Sequence, residues 1–215
     1  MPKNHHQIKC LVWDLDNTLW NGILSEKSTV ILNPQAVTAI KELDKRGVLQ
    51  SIASKNNFED AMTKLQDFKL ADYFLYPQIN WEPKSKSIDH IAKKLNISLD
   101  TVAFIDDQQF ELEEVSFSLP EILTISRDRL DGLLKNPVFT PRFITEDSKI
   151  RRSMYQNEIQ RNELEESFIG SKEAFLRTLQ MQLTIAEASL DDLQRAEELT
   201  VRTHQLNTTG YTYSY

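Results

Sequence analysis

Short apolar segments alternate with longer helical patterns over the first 125 residues of the chain. The apolar segments span 8–14, 48–53, 73–79, 102–105 and 122–125. Between them, apolar residues recur every three or four positions, which is the spacing of one helix face, and a small hairpin is predicted within 20–32. Strands that alternate with helices of about a dozen residues need crossover connections. The sequence therefore predicts an α/β fold with a parallel sheet flanked by helices.

The pattern changes after Pro141, where the strand–helix alternation stops. A polar helical stretch over 147–168 predicts a linker helix. Beyond Gly170 the pattern predicts a short helix, a strand over 183–186 and a helix that begins with a capping box at Ser189 and Asp192. We therefore expect three parts: a catalytic domain over 1–145, a helical linker over 146–170, and a partial C-terminal α/β segment over 171–215.

Composition excludes several classes of protein. The chain has 25 Lys and Arg against 32 Asp and Glu, a formal net charge of −7, which disfavours nucleic acid as the main partner. The apolar run 8–15 is interrupted by Lys9 and Asp14, and it is too short and polar for a signal peptide or membrane span; a cytoplasmic location is expected. Cys10 is the single cysteine, so an internal disulfide and a multi-cysteine zinc site are both excluded.

Polar side chains follow the predicted strands at the points where each strand ends. They form the clusters 14–18, 54–56 and 106–107, and Lys84 opens the third helix. In parallel α/β sheets, ligands bind beyond the carboxyl ends of the strands, so these side chains are expected to converge. Carboxylates packed together repel one another unless a cation offsets them, and an all-oxygen set favours Mg²⁺. A Mg²⁺ ion and a lysine together suit a phosphoryl group.

These clusters resemble the four ordered motifs of the haloacid dehalogenase (HAD) superfamily of phosphotransferases. The surrounding segments VWDLDNTLW (12–20), SIASKN (51–56), WEPK (81–84) and FIDD (104–107) resemble its FkbH-like branch, as does RTHQLNTT (202–209). The resemblance implies a HAD-like Rossmannoid domain followed by the start of a larger, acetyltransferase-like domain. It also implies that the glyceryl group of 1,3-bisphosphoglycerate is loaded as a thioester on the phosphopantetheine arm of an acyl carrier protein for polyketide synthesis.

The resemblance also implies a role for each site residue. Asp14 would be the nucleophile and a metal ligand, and Asp16 would give its backbone carbonyl to the metal and its carboxyl as general acid and base. Asp106 would complete the protein ligands, and Asp107 would hold a metal water or orient Lys84. Lys84 would offset phosphoryl charge. The remaining candidates, which would bind the phosphoryl group or fix its loop, are Thr18, Ser54, Lys55 and Asn56.

Several alternatives stay open at the level of the sequence. A phosphatase that hydrolyses a sugar phosphate or a phosphoprotein would use the same residues. Ser54 could simply cap the next helix, and the basic cluster 149–152 is either a solvated helix face or a docking site for an acidic carrier. Cys10 lies four residues before Asp14 on the same strand, roughly 13 Å away, so we expect a core residue and attack by the carrier's own thiol.

The spacing of the motifs leaves no room for a cap domain. Asp14 and Ser54 are 40 positions apart, and Ser54 and Lys84 are 30 positions apart. The predicted hairpin, helices and strands fill both intervals. We therefore expect an open site that admits a bulky partner.

Overall fold

The computed structural model describes residues 7–26, 29–141, 144–187 and 189–202. The chain divides into two compact units, Met1–Ser153 and Met154–Tyr215. The expected parallel α/β architecture lies in the first unit.

Five parallel strands form the sheet of the first unit. They are β1 (Cys10–Trp13), β4 (Leu49–Ser54), β5 (Gln78–Ile79), β6 (Val102–Asp106) and β7 (Leu123–Ser126). Their spatial order is β5-β4-β1-β6-β7. The central strand β1 pairs with β4 on one side and β6 on the other, so the chain reverses its direction of winding beside β1. The ends of β1, β4 and β6 therefore border the crevice in which such sheets bind ligands.

Four helices connect these strands: α1 (Pro34–Lys45), α2 (Phe58–Asp67), α3 (Lys84–Leu95) and α4 (Gln109–Ser118). The side chains of Asn33 and Asn57 accept hydrogen bonds from the first turns of α1 and α2, which stabilises both helix starts. The chain leaves α1 through Gly47, whose φ of 71° favours glycine. As predicted, α3 begins at Lys84, directly after Pro83.

The predicted hairpin is present and leaves the sheet just after β1. Its strands, β2 (Trp20–Asn21) and β3 (Ile31–Leu32), are antiparallel, and a 3₁₀ turn at Leu24–Glu26 lies between them. The third predicted strand was too long, because Tyr73 ends a 3₁₀ turn, Phe74 forms only an isolated bridge to Gln50 of β4, and the strand itself is limited to Gln78–Ile79. Pro77, directly before that pair, has no N–H to donate to a ladder, which is consistent with the short strand.

The core fills the space between sheet and helices. Cys10 is completely buried within β1, as expected, and burial raises the pKa of its thiol. A buried thiol with a raised pKa is a poor nucleophile. The largest fully buried side chains are Trp13, Trp20, Phe104 and Phe139.

The predicted linker helix is broken at Ile150 into α5 (Glu146–Lys149) and α6 (Arg151–Ser167). Two arginines at this break, both within the first unit, contact the end of α1 and the turn that follows it. Arg151 donates to the Gly47 carbonyl at 2.9 Å, and Arg152 pairs with Asp44 at 2.8 Å. The interpretation of the 149–152 cluster as a solvated helix face is wrong for the buried Arg151, and the docking interpretation stays a prediction.

The second unit contains α7 (Lys172–Thr178) and α8 (Leu193–Arg202). The capping box of Ser189 and Asp192 is present. The predicted strand 183–186 is wrong, since these residues have no regular structure. An acetyltransferase-like fold is not seen among the described residues of this unit, and segment 203–209 of the last motif lies outside them. In the part of the chain described, no helix has both the length and the apolar character needed to cross a membrane.

Candidate active site

The parallel register of β1 and β6 brings two carboxylates together. Trp13 is opposite Ile105, and the Asp14 amide donates to the Ile105 carbonyl at 3.0 Å. Asp14 leaves the end of β1, and Asp106 is the last residue of β6. Both carboxylates are buried at this edge of the sheet. Two acidic groups from distant parts of the sequence thus share one small volume.

Lys84 places its ammonium group between these carboxylates. The Nζ atom lies 2.7 Å from Asp14 Oδ1 and 2.5 Å from Asp106 Oδ2. Burial by itself lowers the pKa of Lys84, but the two neighbouring carboxylates raise that pKa above its usual value. Lys84 therefore stays protonated near neutral pH. The exposed Lys86 instead pairs with Glu82 at 3.0 Å, so it does not compete for the position.

Burial dominates the ionisation of the acidic groups. It raises the pKa of Asp14 to about 6, against the opposing effect of Lys84. The pKa values of Asp106 and Asp107 are also raised, mainly by burial. For Asp107 the negative charge of Asp14 adds to this effect. A bound cation would favour the ionised form of all three groups.

The residues present fit a divalent metal ion. Asp14, Asp106 and Asp107 each offer an oxygen, and these oxygens lie within 4.8 Å of one another. The Oδ1 atom of Asp107 is buried without a hydrogen-bond partner among the described residues. When all three carboxylates are ionised, the single ammonium of Lys84 leaves two negative charges unbalanced. An oxygen donor set with this charge suits Mg²⁺.

Asp16 has different direct hydrogen-bond partners from Asp14. Its Oδ1 atom accepts hydrogen bonds from Trp20 Nε1 at 2.7 Å and the Leu24 amide at 3.1 Å. Its Oδ2 atom accepts from Asn56 Nδ2 at 3.1 Å. These donors belong to the hairpin region and to the segment after β4. Asp16 therefore links the hairpin to that segment.

The segment after β4 contributes Ser54 and Asn56 to the site. Ser54 hydrogen-bonds Asp14, which lowers the pKa of that carboxyl. Asn56 Nδ2 lies 3.3 Å from Ser54 Oγ, so one amide contacts both Ser54 and Asp16. Asn57, rather than Ser54, caps α2. Ser54 therefore does not cap α2, and its role in phosphoryl binding stays a prediction.

Lys55 and Thr18 were also predicted to bind the phosphoryl group or fix its loop, but their surroundings differ from those of Ser54 and Asn56. Lys55 forms an ion pair with Glu111 at 2.7 Å. Its ammonium is thus already offset by a carboxylate. Thr18 is completely buried, and its hydroxyl has no hydrogen-bond partner among the described residues. The loop around Thr18 is held mainly by its backbone, since three successive amides from Thr18 to Trp20 donate to the Leu15 carbonyl.

The hydrogen-bond and ion-pair partners that α4 and the hairpin supply to the site residues were not predicted from the sequence. Glu111 pairs with Lys55, and Glu114 accepts hydrogen bonds from the backbone and hydroxyl of Ser85. Ser85 follows Lys84 in the first turn of α3, so Glu114 also stabilises the start of that helix. The signal was present in the spacing, because Glu111 and Glu114 are three positions apart and share a helix face. In the hairpin, the indole N–H of Trp20 donates to Asp16.

One solved structure resembles the chain at 25% sequence identity. It is the N-terminal part of a Bacteroides fragilis protein, described as containing a phosphatase domain and complexed with Mg. The TM-score is 0.51, and the match covers 72% of this chain and 40% of that one. This chain therefore spans less than half the length of that relative.

Two further structures show weaker likeness. One is a HAD-superfamily hydrolase from Ehrlichia chaffeensis, with 15% identity, a TM-score of 0.46, and coverage of 60% of this chain and 98% of that one. The other is 3-deoxy-D-manno-octulosonate 8-phosphate phosphatase from Moraxella catarrhalis, solved with magnesium, phosphate and KDO. It has 17% identity, a TM-score of 0.43, and coverage of 72% and 94%.

No protein-family model matches the chain, and no curated protein matches it. The acidic cluster fits the expected Mg²⁺ ion, and the Bacteroides structure was solved as a complex with Mg. The parallel sheet and its flanking helices give the fold class. The chain has a Rossmann-like parallel α/β fold, and this fold is similar to that of the Bacteroides fragilis structure with the phosphatase domain.

Proposed function

We propose that the chain is a Mg²⁺-dependent phosphatase that hydrolyses phosphate esters. The observation that carries the proposal is the buried cluster in which Lys84 lies between Asp14 and Asp106, beside the unpartnered oxygen of Asp107. An ammonium group and a divalent cation together offset the charge of a phosphoryl group. The Bacteroides structure, with its phosphatase domain and Mg, supports the same chemistry.

In the proposed hydrolysis, the site residues have the following roles. Asp14 attacks the phosphorus atom, the ester P–O bond breaks, and Asp16 gives a proton to the departing oxygen. Asp16 then takes a proton from the water that releases inorganic phosphate from Asp14. Ser54 and Lys84 bind the phosphoryl oxygens. Asp14, Asp106, Asp107 and the Asp16 carbonyl would hold Mg²⁺, which supplies charge stabilisation when bound.

The test is release of inorganic phosphate from p-nitrophenyl phosphate and glycerol 3-phosphate. We expect turnover with Mg²⁺, loss of turnover after chelation, and recovery when Mg²⁺ is restored. A well-folded protein that hydrolyses neither ester in the presence of Mg²⁺ would contradict the proposal.

Glyceryl transfer to an acyl carrier protein is the second candidate. In this candidate reaction the buried Cys10, whose thiol pKa is raised by burial, is unsuitable as an acyl carrier, so the acceptor thiol would belong to the carrier protein. In this reaction the carrier thiolate attacks the acyl carbon of 1,3-bisphosphoglycerate, the C–O bond breaks, and phosphate leaves.

Incubation with carrier, Mg²⁺ and 1,3-bisphosphoglycerate separates the two candidates. A mass gain of one glyceryl group on the carrier supports transfer, whereas phosphate release without that gain supports hydrolysis. The Cys10→Ser variant should retain whichever activity is found. Loss of transfer in a folded Cys10→Ser protein would overturn direct attack by the carrier thiol.

A further inference from the structure

Each of four connections that leave the site edge of the sheet carries an exposed large apolar side chain. One lies in the hairpin after β1, one opens α2 after β4, one lies between β5 and α3, and one lies in the first turn of α4 after β6. We call this set the apolar rim. Its members and their exposed fractions are Ile31 65%, Phe58 50%, Trp81 72% and Phe110 72%.

The apolar rim lies close to the site along the chain. Phe58 follows Asn56 by two residues, Trp81 precedes Lys84 by three, and Phe110 follows Asp106 by four. Successive Cα atoms are 3.8 Å apart, so these rim residues lie within about 15 Å of a site residue. Ile31 pairs across the hairpin with Asn21, next to the tryptophan that binds Asp16.

Large apolar side chains are also exposed beyond residue 140, but the exposed phenylalanine and tryptophan side chains are concentrated near the site along the chain. Among the phenylalanines and tryptophans whose side chains the structure describes, four are more than one-third exposed: Phe58, Trp81, Phe110 and Phe117. Three of the four belong to the apolar rim. Exposed aromatic side chains are the residues that most often anchor a binding partner. Their placement around a phosphoryl site indicates contact with the rest of the phosphorylated molecule.

The charges beside the apolar rim are mostly negative. Glu59 and Asp60 follow Phe58 in the first turn of α2, and Glu82 follows Trp81. All three residues are exposed. Lys86 pairs with this Glu82 and Lys55 pairs with the buried Glu111. Both ion pairs are neutral, so the negative charge beside the apolar rim comes from Glu59 and Asp60. A partner with basic side chains complements this surface, and an acidic partner is repelled by it.

The span of the apolar rim indicates the size of the partner. It borders four neighbouring strands, β5, β4, β1 and β6, and strands lie about 4.8 Å apart, so the outer two are roughly 14 Å apart. An extended polypeptide rises about 3.3 Å per residue and covers this distance with four or five residues. A small phosphate ester would reach only one or two rim residues.

We propose that the apolar rim binds a polypeptide segment that carries the phosphorylated residue among apolar and basic side chains. This inference rests on the phosphatase function proposed above and specifies its substrate class. The phosphoryl group enters the site between Lys84 and Ser54. The flanking residues of the segment lie across Phe58, Trp81 and Phe110.

The test compares two phosphoserine heptapeptides with glycerol 3-phosphate. One peptide has Leu, Phe and Arg around the phosphoserine, and the other has Glu and Asp. We expect kcat/KM to be at least about tenfold higher for the basic, apolar peptide. Changing Phe58, Trp81 or Phe110 to Ala should each lower kcat/KM for that peptide about fivefold, mainly through KM. The value for glycerol 3-phosphate should stay within about twofold, since it makes little contact with the rim.

Phe117→Ala is the matched control. Phe117 is 90% exposed and lies on α4 near the end opposite Phe110, so its removal should change neither substrate. The proposal is overturned if the acidic peptide is preferred, if glycerol 3-phosphate is hydrolysed as well as either peptide, or if the rim variants affect all substrates equally.

A failure of the phosphatase proposal can be recognised separately. If the protein hydrolyses no phosphate ester, binding of the basic phosphopeptide is measured by calorimetric titration. Binding that is weakened about fivefold in Trp81→Ala but not in Phe117→Ala supports the apolar rim as a peptide site. Absence of binding to the wild-type chain overturns it.

Discussion

Asp14 and Asp16 are two residues apart, yet they lie on two sides of the site with opposite surroundings. Asp14 faces the ammonium of Lys84 and the carboxylates of Asp106 and Asp107. Asp16 is surrounded by neutral donors from Trp20, Leu24 and Asn56. On the Asp14 side, the ammonium of Lys84 offsets the charge of the carboxylates. On the Asp16 side, neutral N–H donors stabilise the carboxylate. Different surroundings allow identical side chains to take different chemical roles.

In the proposed reaction, metal binding and proton transfer therefore depend on different side-chain contacts. When its carboxylates are ionised, the Asp14 side carries more negative charge than Lys84 offsets, so a bound cation would favour the ionised state. The Asp16 side already satisfies its carboxylate through hydrogen bonds to the hairpin. Substitutions on the Asp14 side should therefore alter Mg²⁺ affinity and folding stability. Substitution of Asp16 should alter turnover.

The largest effect is expected from Asp14→Asn. An amide cannot attack phosphorus, so phosphate release should fall roughly 10⁴-fold or more. Steady-state release from p-nitrophenyl phosphate measures the loss. Asp67→Asn is a control, because Asp67 is an exposed residue at the end of α2. Retention of more than about one-tenth of the activity in Asp14→Asn would break the assignment of the nucleophile.

Asp16→Asn should separate the two sides most clearly. We expect kcat to fall roughly 10³-fold, because the proton donor is removed. Mg²⁺ affinity should stay within about threefold, since the Asp16 carboxylate belongs to the hairpin network and its backbone carbonyl is unchanged. Calorimetric Mg²⁺ titration and steady-state kinetics measure the two effects. A loss of affinity as large as the loss of kcat would contradict the comparison.

Lys84→Met removes the ammonium from the Asp14 side. Phosphate release should fall roughly 10²-fold, because phosphoryl charge is no longer offset. The metal-free variant should also lose about 3 kcal/mol of folding stability, since two buried carboxylates lose their partner. Added Mg²⁺ should restore more stability to this variant than to the wild type. Thermal unfolding with and without Mg²⁺ measures this difference, and Lys86→Met serves as the exposed control.

The smallest predicted effect concerns pH. Burial raises the pKa of Asp14 from 3.8 to about 6, so between these values the metal-free folded chain holds a proton that the unfolded chain has released. Lowering the pH through 6 therefore stabilises the metal-free fold, and this contribution is lost as pH rises through 6. Mg²⁺ needs the ionised carboxylate, so its affinity should fall by up to about tenfold per pH unit below 6.

Mg²⁺ titrations at pH 7.5 and 5.5 check this prediction. Thermal unfolding of the metal-free chain at the same pH values gives the stability part. The Asp14→Asn variant lacks one of the three carboxyl groups with a raised pKa, so its dependence on pH should be weaker than that of the wild type. An Mg²⁺ affinity independent of pH would show that Asp14 is not a metal ligand.

The positions of the strand ends could be predicted from sequence because they depend on local patterns. An apolar segment followed by Asp14, and another followed by Asp106, place both carboxylates at one edge once the strands are parallel. The same reasoning placed Lys84 at the start of α3. For these residues, the end of the strand or the start of the helix alone determines the edge of the sheet at which the side chain lies.

The pairing of long side chains could not be predicted in the same way. Lys55 follows β4 as Lys84 follows β5, but Lys55 extends to Glu111 on α4, 56 positions away. The failed strand at 183–186 has a related cause. Leu183 and Ile185 fit a strand pattern but are highly exposed, and β propensity expresses packing against neighbours that these residues lack among the described part of the chain.

The close contact at Gly47 affects where a catalytic fragment can be cut. A Cβ atom at this position would lie 2.5 Å from Arg151 Nη1 and 2.8 Å from the Ser148 carbonyl oxygen. The segment that follows Pro141 thus shares an interior with the turn between α1 and β4. A truncation after Ser153 preserves both arginine contacts, whereas one after Thr145 removes them and exposes the turn to proteases. Expression of an isolated catalytic core should therefore retain the break between α5 and α6.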